Sequence, residues 1–376
     1  MRVKDVLLLC AMLSAVGCLA QEPESYTKDY KHALRYGAKA KMTLRIVDEE
    51  GAPVSNAVPS VVFLLPKAVS NTVVRGLSNE EGLFVAEGVS TKSIGGYVSK
   101  DGYYTTSFKC PRGDPDNPYD NASKVKGNRW LPWNPTIPVV LREIRNPIPM
   151  YATGVDFAKA FPCDKDVGFD CEKRDWVDPH GTGEVADFIV RMVAMELPEQ
   201  VIKEVADITA AQEAAKDRNA AARFGMDLRR IDRAYYKLVI SSVDNDGGFI
   251  RKQKVKDSEF VSDYEAPEYG YTATFETSRG KLTYYEPPNP SDLTGGEYLI
   301  FKSRIQRDSK GKIVSANYGK IYGPLEHLFS RQDNLGALKF LYYFNPTPND
   351  RNLEFDTSKN LYKKAKGEHV TLNDKP

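Results

Sequence analysis

From Lys39 onward, hydrophobic and polar residues alternate. In AKMTLRIVD, residues 40–48, Met42, Leu44 and Ile46 fall on one side and Lys41, Thr43 and Arg45 on the other. That is the period of a strand with one buried face. EEGAPV then predicts a turn, because Gly51 can take positive φ and Pro53 fixes the start of the next extended run. VPSVVFLL reads as a second, central strand. SNEEGLFVAEGV repeats the device, with a polar turn ending in Gly82 and alternation through Leu83, Phe84 and Val85. GGYVSKDGYYTTSF adds two short strands about the Asp101–Gly102 turn, and TIPVVLREI, residues 136–144, is a last alternating strand. Short strands with turn signals at this spacing predict an antiparallel β-sandwich over residues 38–145.

The order and spacing of Gly51, Pro53, Val54, Ala57, Gly82, Phe84, Gly102 and Tyr103 carry a resemblance. This stretch resembles the carboxypeptidase regulatory-like domain, a small transthyretin-like sandwich. The polar segment of residues 110–135 is longer than that family needs. The resemblance implies an accessory module of secreted or surface proteins and names no reaction, since fold does not fix function.

REIRNPIPMYA, residues 142–152, reads as a linker, with Pro147 and Pro149 opposing regular structure. A second, larger antiparallel β domain is expected over 146–370. Its strands include VADFIVRMVAM, RAYYKLVISS and ALKFLYYFNP, and its hairpin turns at Asp308–Gly311. One stretch changes period: residues 196–224 place Val201, Val205 and Ile208 on one face, with Pro198 in a first turn and Glu199 four before Lys203. A single long helix lying on a sheet is expected there. DWVDPHGTGEVADF, SANYGKIYG and NPTPNDRNLEFD resemble segments of uncharacterised secreted bacterial proteins, which adds no activity.

The chain starts with Arg2 and Lys4 before an apolar stretch from Val6 to about Val16. That is too short to span about 30 Å of hydrocarbon and suits a signal peptide over residues 1–20. The rival is acylation at Cys18, which would tether the protein to a membrane; Ala15 stands where such motifs usually carry Leu. Export to the periplasm, cell surface or exterior is expected. The net charge of +1 offers no field for nucleic acid. Beyond the leader, Cys163 and Cys171 bracket CDKDVGFDC. In an oxidising compartment a bridge there would stabilise by about 2.5 kcal/mol; two buried thiols that merely pack are the alternative, and Cys110 fits either.

Catalytic signatures are scarce. His32, His180, His327 and His369 lie in no zinc-peptidase spacing, and no nucleophile elbow or phosphate-binding glycine loop occurs. No metal or cofactor is expected. DNDGG, residues 244–248, begins like a calcium loop, but Gly248 and Val255 stand where ligands belong, so a hairpin turn is expected. A glycosidase needs only two carboxylates, and Asp170, Asp175, Trp176, Asp178 and His180 crowd one Gly/Pro-rich loop. These residues could line a pocket; otherwise Trp176 anchors the loop and the charges face water. Trp130 and Trp133 could form a sugar-stacking platform or seal the sandwich edge. The expectation is an exported, non-enzymatic binding or structural protein of the envelope, its partner a glycan or another envelope protein. The alternative is an envelope or polysaccharide hydrolase using Asp175 or Asp178 as general acid/base, with His180 assisting.

Overall fold

The computed structural model describes residues 27–65, 71–91, 93–110, 125–196, 203, 235–280, 291–330 and 333–362. The leader with Cys18, the helix expected over 196–224 (Glu196 and Lys203 aside) and the chain after Tyr362 lie outside the described residues. The described residues are mainly β, in several largely antiparallel sheets. They fall into two compact units: one runs up to Ile144 and includes Asp257–Glu259, and the other takes the rest from Arg145.

The first unit opens with helix α1 (Lys28–Tyr36) and strands β1 (Ala38–Val47), β2 (Val58–Phe63), β3 (Thr72–Arg75), β4 (Leu83–Ser90) and β5 (Ile94–Ser99). There follow β6 (Tyr103–Tyr104), β7 (Thr106–Cys110), β8 (Val125–Lys126), β9 (Arg129–Trp130), β10 (Thr136–Val140) and β11 (Arg142–Glu143). One sheet runs β10-β1-β9-β8 with β4 on β1; another runs β3-β2-β5-β7. Met42, Leu44 and Ile46 are fully buried as their alternation predicts, and they share a core with Val61 and Phe63 of β2 and Phe108 of β7. Both sheets therefore feed one hydrophobic interior, the condition for a stacked pair. Gly82 lies at φ 71, and a Cβ there would meet the Ile46 carbonyl oxygen at 2.3 Å, so only glycine fits that turn.

Two features depart from the expected pattern. The closing strand β10 runs parallel to β1, with Leu44 opposite Ile137. Parallel neighbours need a long connection, and the chain between β1 and β10 is ample. Helix α1 was not foreseen. Thr27 caps it by accepting from the Tyr30 N–H at 3.2 Å, Gly37 at φ 85 follows its last turn, and Tyr30 and Ala33 bury one side.

The second unit continues with β12 (Ile148–Val155), β13 (Phe161–Pro162), β14 (Val167–Asp170), β15 (Asp175–Trp176), β16 (Phe188–Ala194) and β17 (Tyr235–Ser241). Then come β18 (Gly248–Gln253), β19 (Thr274–Gly280), β20 (Glu297–Arg307), β21 (Ile313–Ser330), β22 (Leu335–Asn345) and β23 (Phe355–Asn360). A seven-stranded sheet runs β18-β20-β21-β22-β12-β23 with β13 on β22, and a five-stranded sheet runs β15-β14-β16-β17-β19. Phe169, Phe188 and Leu238 from the smaller sheet pack with Phe301, Phe340 and Phe344 from the larger. The opposite face of the larger sheet carries its own core, including Tyr298, Tyr322, Tyr343 and Phe355.

The predicted β20–β21 hairpin is present, with Gly311 at φ 80 and the Asp308 carboxylate accepting the Lys310 and Lys312 N–H groups. The linker reading of residues 142–152 is corrected. Its second half is β12, and Pro149 sits where the β12–β23 register shifts between Ile148 and Met150. A bulge tolerates proline because no ladder donor is required there. The 244–248 turn is not a hairpin either: β17 belongs to the five-stranded sheet and β18 to the seven-stranded one, so the turn passes the chain between them.

Candidate functional site

Asp170 and Asp187 border the loop that the sequence singles out, and both are nearly inaccessible to solvent. Asp170 accepts the backbone N–H groups of Glu172, Lys173, Glu184 and Val185 at 2.9–3.2 Å. Burial alone would raise its pKa, but those four donors outweigh it and hold the carboxyl below its ordinary value. Asp187 accepts from the Cys171 N–H at 2.8 Å and the Ser303 hydroxyl at 2.9 Å. Burial pushes Asp187 upward despite these contacts and its arginine partner.

That partner is Arg304, at φ 49 beside a register shift in β20. Its Nε and Nη2 grip Asp187 at 2.9 and 3.0 Å, Nη2 also reaches Asp170 at 3.1 Å, and Nη1 pairs with Glu172. The guanidinium carbon lies 4.8 Å from the Phe344 ring centroid. Three carboxylates thus converge on one planar cation, a geometry suited to holding a loop against a sheet. The Tyr342 hydroxyl donates to the Cys171 carbonyl at 2.9 Å, and Tyr362 donates to the same oxygen.

Asp175 is fixed differently. Its carboxylate pairs with Lys159 at 2.7 Å and accepts from the Trp176 N–H and from the Thr182 N–H and hydroxyl at 2.8–3.0 Å. Burial opposes ionisation, yet Lys159 and Thr182 prevail and draw the carboxyl down to about 2. Trp176 is buried, with its indole N–H donating to the Lys159 carbonyl at 3.1 Å and its ring against Phe161 and Phe169. The anchoring role therefore holds for Trp176. Asp178 is exposed and His180 half-buried, and among the described residues no hydrogen bond or ion pair joins the His180 side chain to Asp175 or Asp178. The loop does not assemble an acid/base pair.

Cys163 and Cys171 stand as free buried thiols, not as a bridge. Burial pushes Cys163 up to about 11 and Cys171 upward as well, so neither is a ready thiolate. Nor do Trp130 and Trp133 share a platform. Trp130 is fully buried, its indole N–H donating to the Ser90 carbonyl at 2.8 Å and its ring edge-on to Tyr30. Trp133 is half-buried beneath the Arg129 guanidinium at 5.0 Å.

An opening lies elsewhere in the second unit: a cavity of about 630 Å³ beside β12, β22 and the register shift of β21 at Gly323–Pro324. Arg174, Lys254 and Lys339 line it, with Asp156 and Glu326. Lys254 Nζ donates to the Gly323 carbonyl at 2.7 Å and stands 4.7 Å from the Tyr322 ring centroid. Lys339 pairs with Glu326 at 2.8 Å. The rings of Tyr322 and Tyr343, also on the lining, hold the buried ammonium of Lys320 at 4.9 and 4.6 Å, and that ammonium donates to Ser262 at 2.9 Å. Arg174 contributes a buried Nε that meets no hydrogen-bond partner.

Sequence reasoning missed this cavity. One signal was present: Gly154, a glycine within a strand, marks a place where something can approach the backbone closely.

No protein-family model and no curated protein matches the chain. Solved structures with partial similarity include 3-chlorocatechol 1,2-dioxygenase from Rhodococcus opacus 1CP, at 11% identity over 29% of this chain and 62% of that one, TM-score 0.22. Catechol 1,2-dioxygenase from Acinetobacter sp. ADP1 matches at 13% identity over 29% and 54%, TM-score 0.22. The shaft pilin SpaA from Lactobacillus rhamnosus GG matches at 9% identity over 43% and 89%, TM-score 0.19. The match spans little more than half the length of those dioxygenases. Likeness at this level carries no argument about fold or activity.

Proposed function

We propose that this chain is an exported, non-enzymatic binding or structural protein of the cell envelope. In this reading residues 38–145 serve as an accessory module resembling the carboxypeptidase regulatory-like sandwich, and the larger unit supplies a glycan-binding surface. Support for export comes from the short apolar stretch behind Arg2 and Lys4.

The observation that carries the non-enzymatic part is the state of Asp175. A general acid must hold a proton near its working pH. A carboxylate drawn down to about 2 by Lys159 and Thr182 holds none at neutral pH, and both its oxygens already accept internal donors. Asp170 and Asp187 are spent on Arg304. The acidic loop is a brace. Binding remains supported by the cavity, whose size falls among small-molecule sites of about 300–1,000 Å³.

The test is co-sedimentation of the exported chain with insoluble cell-wall and polysaccharide preparations, with the supernatant assayed for released sugar. Retention on at least one matrix without sugar release is expected. Absence of retention on every matrix removes the glycan reading. Sugar release that disappears in Asp178→Ala or His180→Ala, both still folded, would establish the hydrolase instead.

A further inference from the structure

We infer that His327 is a proton-operated clasp between the two sheets of the second unit. Taking up a proton on Nε2 locks it to Asp292 and tightens the unit in mild acid. The clasp stands apart from the glycan-binding reading.

His327 lies on β21 of the seven-stranded sheet, and its side chain is only 2% exposed. Its ring stands edge-on to Tyr236 of β17, in the five-stranded sheet, with centroids 5.4 Å apart. Asp292, in the segment leading into β20, brings its Oδ1 to 3.7 Å from His327 Nε2. The same oxygen accepts from the Thr277 hydroxyl of β19 at 2.5 Å. One imidazole therefore meets a residue of the opposite sheet and a carboxylate pinned to that sheet.

A single hydrogen fixes the tautomer. The Tyr236 hydroxyl reaches two atoms of His327, the carbonyl oxygen at 3.0 Å and Nδ1 at 2.7 Å. A hydroxyl carries one hydrogen and a carbonyl can only accept, so that hydrogen goes to the carbonyl and Nδ1 supplies its own. In the neutral imidazole Nε2 is then the basic nitrogen, and it is the one near the Asp292 carboxylate. A lone pair facing a carboxylate oxygen gains nothing. A proton between them makes a charge-assisted bond once the gap closes. The Asp292 side chain is 21% exposed, which gives that proton a route from water.

Other charges surround the cluster. Arg279 of β19 stands opposite Tyr236 in register. Arg251 of β18 donates to the Asp292 carbonyl at 2.6 Å, and its charge is paired with Glu297 at 2.7 Å. On β21 itself, Glu326 pairs with Lys339 of β22 at 2.8 Å. Leu338 of β22 lies opposite His327 and Ala194 of β16 opposite Tyr236, neither of them charged. Asp292 is within ion-pair reach of the ring, and its sign sets the direction. The folded chain binds the proton more tightly than the unfolded one. The stabilisation is thus present in full below the unfolded histidine value of about 6.5 and is lost as pH rises through the folded titration.

The experiment is nitrogen-15 NMR of the histidine rings between about pH 5 and 8, with urea unfolding at the same pH values. The His327 signals are assigned in the chain with His32, His180 and His369 replaced by Gln, so that arm needs no change at the cluster. At the alkaline end His327 should carry its proton on Nδ1; at the acid end both nitrogens should be protonated. Asp292→Asn keeps an oxygen for the Thr277 hydroxyl and removes the charge. The advantage of the native chain over Asp292→Asn in urea midpoint should grow as pH falls, and that growth should vanish in a His327→Gln background.

A proton on Nε2 at the alkaline end overturns the inference, as does a ring still singly protonated at the acid end. An advantage over folded Asp292→Asn that is constant with pH overturns it too. Should the cluster variants fail to fold, the ring spectra decide alone.

Discussion

Arg304 and Arg174 belong to the same unit, both have backbone φ above zero (49° and 57°), and both are partly buried. Their surroundings differ in kind. Around Arg304 three carboxylates occupy Nε, Nη1 and Nη2, and an aromatic ring backs the guanidinium. Around Arg174 a buried Nε finds no acceptor, and open volume lies alongside. A satisfied buried cation is a structural pin, because every group it desolvates is repaid by a partner. A buried donor with no acceptor has no such repayment. The pair sets a fully partnered cation beside an incompletely partnered one within one unit.

The sharpest way to break that comparison is to remove each cation in turn. Arg304→Met strands Asp187 and Asp170 inside the protein with their charges unpaired. A loss of about 3–5 kcal/mol is expected in urea unfolding, typical of breaking one half of a buried pair. Arg174→Met removes a buried Nε–H that has no acceptor, so a change of about 1 kcal/mol or less, of either sign, is expected. Equal losses in the two variants would mean that Arg174 is also structural.

The two tryptophan sites sharpen it further. Trp176→Phe keeps an aromatic ring among Phe161 and Phe169 but loses the indole bond to the Lys159 carbonyl and some volume. A cost of about 2 kcal/mol is expected. Trp133→Phe, at a half-buried position, should change the unfolding midpoint by about 0.5 kcal/mol or less. The reverse ranking would return Trp176 to the list of ligand-facing residues.

Acid tests the brace from the side of its carboxylates. Asp175 titrates near 2 in the folded chain and near 3.9 when unfolded. Because the folded value is the lower one, the stabilisation is present in full above about pH 4 and is lost as pH falls toward 2. The side chain is 18% exposed, so about 1–2 kcal/mol is expected after allowing for solvent screening. Comparing unfolding of the native chain and Asp175→Asn between pH 2 and 6 isolates this residue. The two curves should converge at the acid end; parallel curves would show that Lys159 gives Asp175 no preferential hold.

What could be read from the residues divides along range. Strand β1 and the β20–β21 hairpin follow from alternation and from Asp308 and Gly311, all signals a few residues wide. Helix α1 carried its signals too, in Thr27, the Tyr30/Ala33 spacing and Gly37, but nine residues are few for a period to declare itself. Pro149 misled because a bulge, invisible locally, removes the penalty for proline in β12. The brace was half visible: Asp170, Glu172 and Asp187 crowd together in the chain, while Arg304 stands 117 residues beyond Asp187. No periodicity reports such a pairing. The cavity is formed by Arg174, Lys254 and Lys339, each from a distant segment, so it exists only after the sheets close.

Gly154→Val gives the smallest expected effect and the cleanest reading. Gly154 lies in β12 opposite Leu341 of β22, at no φ that demands glycine. A valine there loses less chain entropy on folding than glycine and suits a pleated surface, worth about 0.5–1 kcal/mol in its favour. Its first carbon would have room, standing 3.8 Å from the Phe340 carbonyl oxygen. The added methyl groups would project into the volume beside Arg174. If that volume is a ligand site, the urea midpoint should hold or rise slightly while sugar binding falls. A substantial loss of stability would mean instead that the strand already uses this space for packing, and the contrast between the two arginines would then concern architecture alone.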